Sequence, residues 1–122
     1  MYEEARSVGL WLSEDKMHIQ INTDKAVQGH EDVVRFVEDA VTARVGHFAP
    51  RITRVEAHLG DENGPKGGAK GKRCMLEARP EGLKPIAVTH YDATLKLAIS
   101  GAAAKLRAAL EREFGMLDAR KA

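Results

Sequence analysis

Apolar residues recur at two different spacings along this chain, and the order of those spacings leaves few folds open. From Met17 the pattern alternates, with Ile19 and Ile21 on one side and His18, Gln20 and Asn22 on the other. A period of two is the signature of a half-buried strand. Over residues 31–47 the spacing lengthens. Val34, Val37, Val41, Val45 and Phe48 fall on one helical face, with Glu31, Arg35, Glu38, Asp39 and Thr42 opposite. Glu31 and Asp32 suit the positive end of a helix dipole, and Gly46 and Pro50 punctuate the helix end.

Alternation returns over residues 51–59, where Val55, Ala57 and Leu59 face in and Arg54, Glu56 and His58 face out. After a loop, Cys74, Leu76 and Ala78 alternate with Arg73, Met75, Glu77 and Arg79. The turn Pro80-Glu81-Gly82 leads to a further strand with Ile86 and Val88 inward. Asp92 reads as the N-cap of a last helix. Its stripe is Leu95, Ala98, Ile99, Ala102, Leu106 and Leu110, extended by Ala103 and Phe114. Gly101 in that helix gives up about 1 kcal/mol against Ala and lets the helix lie close on the sheet.

The predicted order is β-α-β-β-β-α, an α+β fold with a four-stranded mixed sheet. The first strand reaches the second through a right-handed helical crossover and runs parallel to it. The next strands, joined by short connections, are antiparallel. Both helices cover one sheet face, leaving His18, Gln20, Arg54, Glu56, His58, Arg73, Glu77 and Arg79 on a wet face. Glu56 and Glu77 are expected to pair with Arg54, Arg73 or Arg79 across the strands. A single domain is expected over 17–117, after an N-terminal extension (1–16) and before a short tail (118–122).

The loop from Gly60 to Arg73 begins acidic, with Asp61 and Glu62, and ends basic. From Gly64 to Arg73 it carries four cations and no anion. The asymmetry extends to the whole chain. Residues 1–63 hold 7 Lys/Arg against 12 Asp/Glu, and residues 64–122 hold 12 against 6, although the formal net charge is only +1. A basic half can meet a polyanion that the overall charge would not attract. Two plainer readings stay open: the two signs mix on the folded surface, and the loop lysines serve solubility alone. The loop is not a Walker phosphate loop, since the position five after Gly64 is Ala69 and five after Gly67 is Lys72.

Cys74 is the only cysteine and reads as a small buried hydrophobe. The five histidines lack metal-ligand spacing, though His18 and His58 on adjacent strands would be near neighbours. No metal, cofactor, small-molecule substrate or catalytic residue is expected. No apolar run approaches the roughly 20 residues of a membrane span, and the expected location is cytoplasmic. A basic surface remains as the candidate site. It comprises Lys66, Lys70, Lys72 and Arg73 in the loop, Arg79 and Lys84 on strands, and Lys96, Lys105, Arg107 and Arg112 on the last helix. Helix and loop cations are expected to line one stripe that tracks phosphates. Exposed aromatics are few, so shape and backbone recognition of folded RNA fits better than base reading.

Several stretches, in this order, resemble the ribosome hibernation promoting factor family, which is also known as ribosome-associated inhibitors or sigma-54 modulation proteins. They are Met17-His-Ile-Gln-Ile, Arg51-Ile-Thr-Arg-Val-Glu-Ala-His-Leu, Asp61-Glu62, Cys74-Met-Leu-Glu-Ala-Arg79, Pro85-Ile-Ala-Val88 and Leu97-Ala-Ile-Ser-Gly-Ala-Ala-Ala-Lys105-Leu. Ser100 stands where the family usually carries an acid. The resemblance implies a fold like that of double-stranded-RNA-binding domains. It also implies a non-catalytic protein, monomeric when free, that binds 16S rRNA of the small ribosomal subunit in the mRNA–tRNA channel and silences idle ribosomes. The alternative is a protein-binding regulator of the sigma-factor-modulating type, acting through the polar sheet face.

Overall fold

The structure is a computed structural model that describes residues 17–24, 30–61 and 71–121. Strand β1 (His18–Thr23) leads to helix α1 (His30–Val45), which tightens into a 3-10 turn over Gly46–Arg51. Strands β2 (Ile52–Asp61), β3 (Lys72–Pro80) and β4 (Ile86–Asp92) follow, and helix α2 (Leu95–Lys121) closes the chain. The sheet order is β1-β2-β3-β4, with β1 parallel to β2 and the other pairs antiparallel. This is the predicted α+β architecture.

The periodicities explain the layers. Val55, Ala57 and Leu59 on β2 and Cys74, Leu76 and Ala78 on β3 are buried. They meet Val37, Val41 and Val45 of α1 and the stripe Ala98, Ile99, Ala102, Ala103, Leu106, Leu110 and Phe114 of α2 in one core. Both helices therefore cover the same face. Val34 and Phe48 are only half-buried. Phe48 finds its partner at the far end of α2, where its ring lies 5.2 Å from that of Phe114.

The two helix ends depart from expectation in instructive ways. Asp92 is not the N-cap of α2, because β4 continues through it. Thr94 takes that place: its Oγ1 accepts a hydrogen bond from Leu97 N–H at 3.1 Å, and its carbonyl accepts one from Ala98 N–H at 2.9 Å. Asp92 instead accepts from the backbone N–H of Ala93 at 2.8 Å. At the other end α2 runs on to Lys121, through residues read from the sequence as a short tail. Arg51 secures it there. Its guanidinium donates to both carboxylate oxygens of Asp118 at 3.1 and 2.9 Å and lies 3.9 Å over the Phe114 ring.

Gly101 shows why α2 tolerates a poor helix former at mid-length. A Cβ built on it would overlap the imidazole of His90 on β4. His90 is itself held by a 3.0 Å hydrogen bond to Asp92 Oδ2. The bare glycine thus lets helix and strand approach within the thickness of one ring. Gly101→Ala is expected to destabilise the protein by about 1–3 kcal/mol through overpacking, against the roughly 1 kcal/mol that helix propensity alone would return. His90→Ala combined with Gly101→Ala is expected to recover stability relative to Gly101→Ala. Urea denaturation of the three variants checks both signs, and a stabilised single Gly101→Ala protein would refute the close approach.

Candidate nucleic-acid interface

The β2–β3 register sets the chemistry of the open sheet face. Arg54 stands opposite Arg79, Glu56 opposite Glu77, His58 opposite Met75 and Gly60 opposite Arg73. On β1, His18 adjoins Arg54, Gln20 adjoins Glu56 and Asn22 adjoins His58. The face is therefore banded: a cationic row, an acidic row, a neutral row, and then Arg73 beside Tyr91 of β4. The expected cross-strand ion pairs do not form, because like charges face each other. The pairs run along the strands instead: Arg54 to Glu56 at 2.8 Å, His58 to Glu56 at 3.4 Å and Arg79 to Glu77 at 3.9 Å. His18 and His58 are not neighbours, lying about 13 Å apart along the strands. Among the described residues no cluster of metal-ligating side chains forms.

Of the ten cations singled out from the sequence, Lys66 and Lys70 lie outside the described residues. Lys72 opens β3 and is ion-paired with Asp61, its register partner at the end of β2. The guanidinium of Arg73 lies over Gly60, where the carboxylate of Asp24 also approaches. Arg79 closes the same strand, about 20 Å from Arg73. Lys84 and Arg112 line one open pocket beside the β3–β4 turn.

The α2 cations form two flanks rather than the single stripe expected. At 3.6 residues per turn, Lys105 and Arg112 lie within about 20° of each other, as do Lys96 and Arg107, and the two pairs stand about 180° apart. Lys105 donates to the carbonyl of Thr89 on edge strand β4 at 2.8 Å. Lys96 stands 5.5 Å over the ring of Phe36 on α1. Arg107 pairs with Glu111 at 3.1 Å and Arg112 with Glu113 at 3.5 Å. One flank therefore borders the β4 edge and the other the groove between the helices, which Arg44 of α1 also lines. Sequence reading passed over Arg54 as a site residue. Its signal exists only in the register, which sets it against Arg79.

Cys74 faces the core fully buried. Burial pushes its thiol from the ordinary 9.0 up to about 12, with Arg73 opposing the shift. It is a thiol where a nucleophile would need a thiolate. No helix among the described residues is long and apolar enough to cross a membrane.

No family model and no curated protein matches the chain. Solved structures do. A ribosomal subunit interface protein from Coxiella burnetii superposes with a TM-score of 0.67 at 15% identity, over 81% of this chain and 99% of that one. The N-terminal domain of Protein Y from Thermus thermophilus superposes with a TM-score of 0.60 at 18% identity, over 80% of this chain and 97% of that one. The chain shares their fold across nearly their whole length.

The buried thiol gives a test of the core. In the folded protein Cys74 is expected to resist thiol reagents at neutral pH and to react only as the chain unfolds. Its folded value lies above its unfolded one, so its contribution to stability is complete below pH 9 and is lost as pH rises towards about 12. Cys74→Ala is expected to flatten that alkaline decline. Rapid labelling of the native protein, or an alkaline melting profile that Cys74→Ala leaves unchanged, would contradict the burial.

Proposed function

We propose that this protein is a ribosome-associated translation inhibitor of the hibernation-factor kind. It binds 16S rRNA of the small subunit and occupies the channel that mRNA and tRNA would use. The observation that carries the reading is the fold shared with a ribosomal subunit interface protein over 99% of that protein. The sequence resemblance from Met17 to Phe114 points the same way, as do the cations exposed on two flanks of α2 and on the sheet.

The mechanism is steric and electrostatic. A rigid two-layer domain presents arginines and lysines to phosphates, releases counterions on contact and excludes other ligands by its volume. It makes and breaks no bond and uses no cofactor. Arginine suits this task because its planar fork meets two phosphate oxygens at once. The partner sets the location, which is the cytoplasm.

Sedimentation of the protein with purified small ribosomal subunits tests the reading. Cosedimentation is expected at low salt and is lost as salt rises, while absence of cosedimentation at low salt overturns the proposal. Replacing Lys66, Lys70, Lys72 and Arg73 together by Ala is expected to weaken binding and to lower the slope of log affinity against log salt by up to about 1 per cation removed from contact. An unchanged affinity removes the loop from the interface.

A further inference from the structure

We propose that the cationic row on the open sheet face, built on Arg54 and Arg79 with His18 beside them, is a seat for a backbone phosphate of RNA. The inference rests on the RNA-binding reading above and gives it a specific contact. Like charges set directly opposite on neighbouring strands destabilise a sheet, yet Arg54 and Arg79 are register partners. A one-strand swap of Arg and Glu would pair them across the sheet. Instead each arginine finds its acid two residues along its own strand, at 2.8 Å for Arg54 and 3.9 Å for Arg79. Two guanidinium groups are thereby kept side by side at one end of the face.

Three further observations fit an anion there. The Nε of Arg54 is shielded from solvent and makes no hydrogen bond. A buried donor without a partner is unfavourable, and a phosphate oxygen is the acceptor that suits it. Both side chains are accessible, Arg54 at 40% and Arg79 at 45%. His18, on the edge strand, adjoins Arg54 and extends the row across three strands. The adjacent Glu56–Glu77 row repels a second phosphate on that side, which orients the bound backbone along the row. Charge complementarity thus selects the nucleic-acid backbone as the occupant.

The test is the affinity of the full chain for a short RNA hairpin, followed by fluorescence anisotropy over a salt series. Arg54→Gln with Arg79→Gln is expected to weaken binding roughly tenfold and to reduce the salt slope by about 2, one per phosphate contact. The same variant is expected to melt at or above the wild-type temperature, because it relieves the like-charge contact. A purely structural role would instead lower the melting temperature and leave the salt slope unchanged, and that result overturns the inference. So does wild-type affinity in the double variant, or a wild-type protein that fails to bind the hairpin. Concentration-dependent dimerisation that the substitutions abolish, with RNA binding intact, reassigns the row to a second copy of the chain. The two proposals fail separately: the ribosomal reading falls with the loss of cosedimentation, this one with the hairpin.

Discussion

The register of β2 against β3 is the constraint on which the molecule depends. It sets Val55 against Ala78, Ala57 against Leu76 and Leu59 against Cys74 on the inner face. The same register, by the parity of the strand, sets Arg54 against Arg79 and Glu56 against Glu77 on the outer face. A slip of one residue would turn the apolar set of β3 to solvent. Core and surface are therefore fixed together, and the like-charge rows are inseparable from a well-packed interior.

α2 locks that register from behind. It packs on β3 and β4, meets α1 through the core residues, and is held at its far end by Arg51. Its closest approach to the sheet is the His90–Gly101 contact. The helix also divides the cations. Lys105 and Arg112 belong to the β4 edge, and Lys96 and Arg107 to the groove between helices. A protein that meets a folded RNA with such a surface does so on more than one side, which suits a domain lodged in a channel better than one lying along a flat duplex.

Much of this was legible in the amino-acid order, and the reasons differ by element. The strands announced themselves because one sheet face is dry, so Val55-Glu56-Ala57-His58-Leu59 alternates cleanly. The helices did so through stripes such as Val37, Val41 and Val45. Register was not legible. The long connection between β2 and β3 does not fix it as a two-residue turn would, and the pattern Arg-x-Glu on one strand and Glu-x-Arg on the next fits several alignments. Only packing against the helices chooses among them. The N-cap was missed for a related reason. Asp92 and Thr94 are both good caps, and the length of β4, set by pairing with β3, decides for Thr94. The candidate site was legible in composition but not in arrangement, since helix geometry divides cations that look continuous in sequence.

The central claim is that ribosomal RNA meets the arginine row of the open sheet face. Arginine-selective dicarbonyl labelling of the protein, free and sedimented with small ribosomal subunits, followed by peptide mass spectrometry, tests it most directly. Arg54 and Arg79 are expected to lose reactivity in the complex while Arg35, exposed on α1, retains it. Equal labelling of Arg54 and Arg79 in the free and bound protein would contradict it.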